Sequence, residues 1–362
     1  MTSLDPTRPV RPGEELDPEA LRRMFDRYAP TLAGPVVVEQ FPKGHSNLTY
    51  LLRVSGTELV LRRPPKGAEQ IKAGHDMRRE YTVLTRLRGV WPKVPRTLFY
   101  VPEEESPFGV QLYVMERVPG LILRGTKLPP GVALDAAGMR AVSETVIDTL
   151  VELHAVDPAA AGLADFGKPQ GYVQRQVAGW TERYGRARTD EVPDMERLAS
   201  WLAANLPPDR PGAIIHNDFK YDNVVLDPAD LTRVRAVLDW EMSTLGDPVS
   251  DLGMTLAYWF EPGEVEMVGP AAFGPTALPG NLTREEIVQR YAARSGRAVD
   301  DVVFHYVLGL FKVAVIAQQI YFRYRQGLTQ DERFAGLGFA VALLAQVAVR
   351  AVDRKRISRL LD

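Results

Sequence analysis

Alternating apolar and polar residues in the first third of the chain predict a sheet that is interrupted by one helical segment. The strand-like runs cover residues 36–41, 48–54, 59–63, 97–101 and 110–118. Residues 69–88 instead repeat their apolar positions at helical spacing and are rich in strong helix formers. The pattern therefore predicts a five-stranded antiparallel N-terminal sheet with one helix between its third and fourth strands.

The pattern changes at residues 119–120, a Pro-Gly pair, after which helical periodicity dominates. It covers residues 135–154, parts of 170–205 and most of the chain from residue 247 onward. We therefore expect an α+β fold in which a sheet-based N-lobe precedes a mainly helical C-lobe. The predicted divisions are an N-terminal arm and helix at residues 1–30, the N-lobe at 31–118 and the C-lobe at 119–362.

Three short apolar runs break the helical pattern of the C-terminal part. They cover residues 214–215, 224–226 and 234–239. Turn residues at 227–230 join the second run to the third, which predicts a β-hairpin. Because the open end of a hairpin brings two chain segments together, we expect Asn223 and Asp239 to lie close to each other.

The residues around this hairpin carry the candidate chemistry. Residues 216–223 have the sequence H-x-D-x-K-x-x-N, and Asp239 ends the third apolar run. Phosphoryl transfer from ATP needs a carboxylate that takes up the acceptor's proton, a cation near the transferred group, and oxygen ligands for Mg²⁺. Asp218, Lys220 and the pair Asn223 and Asp239 fit these roles in that order. The alternative for the acidic and amide residues is turn formation, which Asp and Asn also favour.

Other polar residues near the motif are expected to support it. His216 is expected to brace the loop through hydrogen bonds, and Asp247, which precedes a proline, to cap a helix. Asp251 lies one turn into that helix among apolar neighbours, and a buried carboxylate must be satisfied. We therefore expect main-chain N–H groups of residues 216–223, the candidate catalytic loop, to donate to Asp251. Glu241 is expected to lie around the metal ligands rather than among them.

The composition excludes several other chemistries and partners. The chain has 362 residues, no cysteine and a net charge of −2. Disulfides, thiolate catalysis and cysteine-based zinc sites are therefore excluded, and no basic excess favours nucleic acid or an anionic membrane. No uninterrupted apolar run reaches the ~18–20 residues of a membrane span, and the polar N-terminus lacks a signal-peptide core. We expect a cytoplasmic protein without nucleic-acid or membrane partners.

Taken together, these motifs resemble those of the aminoglycoside phosphotransferase and choline kinase superfamily. The likeness rests on residues 216–223, on Leu-Asp-Trp-Glu at 238–241 and on Gly-Asp-Pro-x-x-Asp-Leu-Gly at 246–253. Residues 41–50 and 59–65 further resemble the phosphotransferase branch related to the kinase-like domains of some acyl-CoA dehydrogenases. The resemblance implies a bilobal protein-kinase-like fold with ATP and Mg²⁺ as cofactors.

The resemblance also implies where the nucleotide binds. Val60 and Arg62 share one face of the third strand because side chains alternate along a strand, and kinase-like folds place the adenine ceiling and a phosphate-binding Lys at two such positions. Here Arg62 stands in place of that Lys, with Glu80 as its helix partner. The alternative is a surface arginine on an edge strand and a solvated glutamate. The remaining implied contacts are the hydroxyl of Ser46, in a loop that an ordinary hairpin turn would also explain, and the main chain of Glu116 and Val118.

A late helix at about residues 300–325 suggests an acceptor site. Its polar side chains are His305, Lys312, Gln319 and Arg323, and steps of 7, 7 and 4 keep all four near one face. If that face borders the active site, Lys312 and Arg323 would bind an anionic acceptor. The alternative is a solvated helix face.

The leading hypothesis is an ATP- and Mg²⁺-dependent kinase that phosphorylates a hydroxyl group of a small molecule. The resemblance suggests a hydroxy acid or hydroxyacyl thioester as the acceptor. The alternatives are a nucleotide-binding pseudokinase that acts as a binding module, an aminoglycoside-type antibiotic kinase, and a metal-dependent hydrolase in which Lys220 would have no role. The sequence determines neither the acceptor, nor ATP over GTP, nor the oligomeric state.

Overall fold

The computed structural model describes residues 5–42, 47–65, 75–265, 273–329 and 331–360. The chain divides into two compact units. The first unit comprises Met1–Ile122, Ala159–Leu163 and Asn223–Ser243, and the second comprises Leu123–Pro158, Ala164–Asp222 and Thr244–Asp362. The chain therefore passes from one unit to the other several times.

Strands dominate the first unit and helices the second. The strands of the described residues are β1 (Val36–Gln40), β2 (Leu48–Val54), β3 (Thr57–Arg63), β4 (Thr97–Val101), β5 (Leu112–Glu116), β6 (Ala213–Ile215), β7 (Val224–Asp227), β8 (Asp230–Val237) and β9 (Thr244–Gly246). The α-helices of those residues are α1 (Pro18–Tyr28), α2 (Met77–Leu87), α3 (Ala136–His154), α4 (Tyr172–Ala187), α5 (Pro193–Ala204), α6 (Pro248–Ala257), α7 (Arg284–Ser295), α8 (Val302–Arg325) and α9 (Leu337–Arg354).

The predicted five-stranded sheet is confirmed. Its strands lie in the order β1-β2-β3-β5-β4, and each neighbouring pair is antiparallel. One face is covered by α1, whose Leu21 and Phe25 pack with Leu59 and Leu61 of β3 and other buried apolar residues. Because side chains alternate along a strand, Arg62 belongs to the opposite face of β3.

The helix predicted over residues 69–88 is present as α2, which begins at Met77. Asp76 caps it by accepting a hydrogen bond from the main-chain N–H of Arg79. Residues 66–74 lie outside the described part of the chain, so the prediction is not tested there, whereas residues 75 and 76 precede the helix instead of belonging to it. The buried face of α2 includes Glu80 among apolar residues, which places one carboxylate inside the first unit.

The β7–β8 hairpin belongs to the first unit rather than to the helical one. The main chains of Leu121 and Leu226 exchange two hydrogen bonds, of 2.9 and 2.8 Å. Gly120 permits this approach, since a Cβ there would lie 2.4 Å from the Val225 side chain and 2.5 Å from the Leu226 carbonyl oxygen. The division expected at residue 119 therefore differs from the observed units, because the sequence pattern carries no sign of this pairing.

In the second unit, helix α8 is largely buried, and it crosses α6 at two glycines. A Cβ on Gly253 would lie 2.3 Å from the carbonyl oxygen of His305, and one on Gly309 would lie 2.5 Å from the carbonyl oxygen of Gly253. Helix α6 begins after Asp247, whose carboxylate accepts from the N–H groups of Val249 and Ser250, as predicted. The short strands β6 and β9 pair beside the start of α6.

Two helical segments of the described chain are long and apolar enough to cross a membrane by length and composition alone. The first is Val302–Arg325, in which 67% of the most apolar 18-residue stretch is buried in the protein. The second is Glu332–Arg354, in which 44% of the corresponding stretch is buried. A core helix meets the same criteria, and the burial of Val302–Arg325 is typical of one.

Candidate active site

An ion pair in the first unit joins the sheet to α2. Arg62 donates from Nη1 to Oε1 of Glu80 at 2.6 Å. Both side chains are buried, so the pair is neither a surface contact nor part of an edge strand, because β3 lies between β2 and β5. The structure therefore brings together the two residues that the sequence paired.

The same guanidinium also contacts the segment that follows the hairpin. Its Nη2 atom lies 3.0 Å from Oδ1 of Asp239 and 3.3 Å from Oε2 of Glu241. The main-chain N–H of Trp240 donates to Glu80 at 3.3 Å, which fixes the residue between these two acids. One arginine thus contacts three carboxylates, two of which the sequence had assigned to the metal region.

The local charges shift the pKa values of the central pair. Burial raises the pKa of Glu80, and it outweighs the opposing attraction of Arg62. Burial alone would lower the pKa of Arg62, but Glu80 and Asp239 together hold it well above the ordinary value. The guanidinium therefore remains a permanent cation on the face of β3 opposite α1.

The hairpin places Asn223 next to the segment that carries Asp239. The Leu238 N–H donates to the Asn223 carbonyl oxygen at 2.8 Å, which confirms the predicted approach at the open end of the hairpin. Asp239 adopts a left-handed backbone conformation, with φ of 68°, and its side chain keeps a relative accessibility of 37%. Left-handed conformations of residues other than Gly and Asn are uncommon and often mark functional positions.

The donors at this end of the hairpin are a carboxylate and an amide, which are the oxygen ligands that Mg²⁺ prefers. Among the described residues, no group of three or more His, Asp or Glu side chains is arranged to hold a metal. A site with one or two protein ligands suits Mg²⁺ that is bound mainly through phosphates and water. Asn223 and Asp239 therefore fit the expected ion.

A second chain of contacts reaches the loop after β1. The Asn47 side-chain amide donates to Glu241 Oε2 at 2.7 Å, and its oxygen lies 2.9 Å from His75 Nδ1. Burial lowers the pKa of His75. Ser46, the expected phosphate contact, lies outside the described residues. Asn47 gives Glu241 a partner that the sequence pattern did not indicate.

The predicted adenine-binding residues lie at the end of β5 and on β3. The N–H of Glu116 donates to the carbonyl of Arg96 at 2.8 Å, and its carboxylate lies near Arg88 and Arg96. Val118 packs against a small apolar cluster of Ile122, Val225 and Ala236. Val60 is buried on β3, on the same side of the strand as Arg62.

The second unit holds the candidate base and the candidate phosphate cation. Lys220 donates to Asp218 Oδ1 at 2.6 Å. Its ammonium lies 4.4 Å from the ring centre of Tyr258 and 4.9 Å from that of Phe273, which are distances typical of cation–π contacts. Tyr258 also forms a side-chain hydrogen bond with Asp218, and burial above all raises its pKa well above the ordinary value. The sequence motifs indicate a role for neither aromatic residue.

Asp251 accepts main-chain hydrogen bonds from the candidate catalytic loop, as predicted. Its carboxylate accepts hydrogen bonds from the N–H groups of His216 and Asn217 at 2.7 and 2.6 Å. The third partner, His154 Nε2, lies 3.0 Å from the same carboxylate, and no sequence motif indicates it. Burial would raise the pKa of Asp251, but the hydrogen bond to His154 and the main-chain donors lower it. The N–H of Asp218 donates to His216 Nδ1 at 3.2 Å, which confirms the bracing role of His216.

The polar stripe on α8 does not form one uniform face. His305 and Lys312 are buried, Gln319 is partly buried, and Arg323 is exposed. His305 lies 3.2 Å from both Ser250 and Arg210. Only the C-terminal end of the stripe is therefore a solvated helix face, because α6 and α4 cover the rest.

Lys312 contacts the candidate catalytic loop from helix α8. Its ammonium is 3.4 Å from the side-chain oxygen of Asn217 and 5.5 Å from the ring centre of Trp180. Burial lowers its pKa to about 8, the carboxylates of Asp251 and Asp218 oppose that shift, and the positive charge of Arg183 adds to it. Helical periodicity placed Lys312 on the predicted helix of residues 300–325, but it could not show that the side chain is buried.

Kinase-like phosphotransferases combine an ion pair between a sheet and a helix, a metal-binding Asp after a hairpin, and an aspartate in a rigid catalytic loop. Each unit of this chain supplies part of that set. The model of the phosphotransferase enzyme family, APH, matches residues 37–285. The chain belongs to this family, and the predicted kinase-like fold class is confirmed.

Curated relatives are acyl-CoA dehydrogenase family members. The chain is 34% identical to acyl-CoA dehydrogenase family member 11 of Gallus gallus over 97% of its own length and 45% of that protein. It is 32% identical to family member 10 of Mus musculus over 94% of its own length and 32% of that protein. The chain thus spans less than half the length of these relatives.

Solved structures give the same fold. A protein from Ralstonia eutropha JMP134, provisionally assigned as an aminoglycoside phosphotransferase, has a TM-score of 0.79 and 30% identity, with 94% of this chain and 99% of that chain covered. A thermostable mutant of aminoglycoside phosphotransferase APH(4)-Ia, solved with AMP-PNP and hygromycin B, has a TM-score of 0.58 and 16% identity over 92% of this chain and 99% of that chain. At that identity the second likeness shows the fold alone.

Proposed function

We propose that this protein is an ATP- and Mg²⁺-dependent phosphotransferase that transfers the γ-phosphoryl group to a hydroxyl of a small molecule. The observation that carries the proposal is the Asp218–Lys220 pair, at 2.6 Å, in a loop whose main chain is fixed by the buried Asp251. A rigid carboxylate beside a cation is the arrangement that phosphoryl transfer to an alcohol requires. The complex of a related fold with AMP-PNP supports a nucleoside triphosphate as donor.

Each residue then has a definite role. Asp218 orients the acceptor hydroxyl and accepts its proton as the hydroxyl oxygen forms a bond to the γ-phosphorus and ADP leaves. Lys220 stabilises the negative charge on the transferred phosphoryl group. Arg62, held by Glu80, binds phosphate oxygens. Asn223 and Asp239 would hold Mg²⁺, which neutralises charge on the phosphates when bound.

Nucleotide recognition would use the main chain at the end of β5. Because the N–H of Glu116 already donates to Arg96, an adenine contact at Glu116 would use its carbonyl oxygen. The N–H of Val118 is the complementary donor. Val60, on the same side of β3 as Arg62, would pack on the base.

For the acceptor, we favour a hydroxy acid or a hydroxyacyl thioester. The support is the likeness to proteins named as acyl-CoA dehydrogenase family members, over nearly the whole of this chain. The exposed Arg323 is available for an anionic group. An aminoglycoside is the second candidate, because a structural neighbour carries that assignment.

The test is phosphoryl transfer by the wild type and by Asp218→Asn. ADP release would be followed with panels of hydroxy acids, hydroxyacyl thioesters and aminoglycosides, and the phosphorylated product would be identified by mass spectrometry. Loss of the base should lower turnover by about 10²–10⁴-fold, while nucleotide affinity stays within about twofold. Asp165→Asn, which changes an exposed aspartate of the same unit, is the matched control.

The outcomes separate the competing functions. Nucleotide binding without turnover on any panel would favour a pseudokinase. Phosphate release without a phosphorylated acceptor would favour a hydrolase. Wild-type turnover in Asp218→Asn would remove Asp218 from the role of base.

A further inference from the structure

Lys312 carries a charged side chain in a buried position, among mostly apolar neighbours on its helix. Its relative accessibility is 4%, and it comes from the middle of the apolar helix α8. In the described chain its ammonium contacts the side-chain oxygen of Asn217 at 3.4 Å and the indole of Trp180 at 5.5 Å. A lysine has three donors to satisfy, so this placement costs stability and calls for a functional explanation.

The contacted residue, Asn217, lies between His216 and the candidate base Asp218. It adopts a left-handed conformation with φ of 64°, which asparagine accepts more readily than most residues. Its side-chain oxygen accepts from the Tyr172 hydroxyl at 2.9 Å, and its N–H donates to Asp251 at 2.6 Å. Asn217 is thus a loop residue that is contacted from α4, α6 and α8.

We propose that Lys312 is a positioning residue, whose ammonium holds the Asn217 side chain and thereby fixes the orientation of Asp218 for catalysis. The proposal rests on the proposed function, and it names the lysine as part of the loop support instead of the acceptor site. Burial of the ammonium and its contact with Asn217 favour this role over direct binding of an anionic acceptor.

The charge on Lys312 depends on its surroundings. The charged groups that face it are Asp251 from α6, Asp218 from the loop and Arg183 from α4. Burial lowers its pKa to about 8, so the ammonium loses its proton in a range where ordinary lysines stay charged. We therefore expect kcat of the wild type to fall as pH rises through about 8, because the neutral amine is a weaker donor to Asn217.

The decisive experiment compares wild type, Lys312→Met and Lys312→Arg from pH 6.5 to 9.5. Lys312→Met should lower kcat at pH 7 by about 10- to 100-fold, the effect of losing a hydrogen bond from a charged donor. The KM values for ATP and acceptor should change less than twofold, and the fall in kcat near pH 8 should disappear. Lys312→Arg, which keeps the charge at all these pH values, should recover part of kcat and move that fall above pH 9. Lys127→Met, at an exposed lysine of the same unit, should behave as the wild type.

Two results would overturn the proposal. A raised KM for the acceptor at unchanged kcat would make Lys312 a substrate contact. An unchanged kcat together with an unchanged pH profile would make it a core residue without a role in the loop. The wild-type profile is informative even if Lys312→Met folds poorly, since a flat kcat up to pH 9.5 also contradicts the proposal.

A readout that does not depend on activity separates this inference from the proposed function. The main-chain N–H of Asn217 donates to Asp251, a bond that should protect it from hydrogen exchange, and loosening of the loop should expose it. The protection factor of the peptide containing residues 216–218 should fall at least tenfold in Lys312→Met, while peptides from α3 keep theirs. If the wild type transfers no phosphoryl group at all, the proposed function fails, yet the exchange result still decides whether Lys312 holds the loop. Unchanged protection would show that it does not.

Discussion

Replacing Lys312 by Met should stabilise the protein at neutral pH even though it impairs the proposed catalytic loop. The fall in the pKa of this ammonium from 10.5 to about 8 corresponds to about 3 kcal/mol of unfavourable free energy for keeping the charge buried. Methionine has a similar length and no charge, so it removes this cost while filling most of the same volume. At about 2–4 °C per kcal/mol for a unit of this size, the melting temperature at pH 7 should rise by about 6–12 °C.

The sign of the pH dependence follows from the same numbers. Between pH 8 and 10.5 the unfolded chain keeps a proton on Lys312 that the folded protein has released. The contribution of this residue to the free energy of unfolding therefore increases with pH across that window. Below pH 8 both states are protonated and the full cost is present. The melting temperature of the wild type should thus approach that of Lys312→Met as pH rises from 8 to 10.

Calorimetry of both proteins at pH 7 and pH 9.5, with Lys127→Met as control, measures this difference. A lower melting temperature for Lys312→Met at pH 7 would mean that the contacts with Asn217 and Trp180 outweigh the cost of burial. A gap between the two proteins that stays constant from pH 7 to 9.5 would mean that the ammonium does not titrate in that range. Either result would contradict the free-energy cost assigned to the buried ammonium.

The remaining predictions concern three other positions. Asp239→Ala should weaken binding of Mg·ATP more than binding of metal-free ATP in calorimetric titrations, because its proposed partner is the cation; an equal loss of both would indicate a folding defect. Gly253→Ala should lower the free energy of unfolding by about 1–3 kcal/mol in urea titrations, since a Cβ there would lie 2.3 Å from the His305 carbonyl oxygen. Its control, Gly185→Ala, meets nothing within 4 Å and should be neutral or stabilising. Tyr258→Phe should lower kcat by about 10- to 100-fold by removing the hydroxyl bonded to Asp218, and unchanged turnover would limit Tyr258 to packing around Lys220.

Elements with strict local patterns were predictable from the sequence. Strands β2 and β4 have the predicted bounds, because alternation and flanking turns determine a strand within a few residues. The role of Asp251 was predictable for a different reason, since an acid among apolar neighbours of a helix must find donors, and the loop of residues 216–223 was the polar segment expected to supply them.

Features that depend on long-range packing were not predictable. His154 is a single histidine at the end of an apolar helix, and nothing local indicates that it meets Asp251, 97 residues away. Tyr258 and Phe273 resemble ordinary core aromatics until Lys220 is placed over them. Helical periodicity put Lys312 and Arg323 on one face, but only the packing of α8 shows that one is buried and the other exposed.

The presence of Arg62 in place of the usual lysine has a physical reason in the contacts it makes. Its two terminal nitrogens reach Glu80, Asp239 and Glu241, and a planar guanidinium can serve several acceptors at once, whereas an ammonium is a compact point charge. Three carboxylates around one cation leave an excess of negative charge in this part of the first unit. That excess would favour the arrival of a divalent cation, and a guanidinium could keep its bond to Glu80 through one nitrogen while the other turns from Asp239 to a phosphate. The arginine can replace the lysine on chemical grounds, because its second nitrogen can exchange partners without breaking the ion pair to α2.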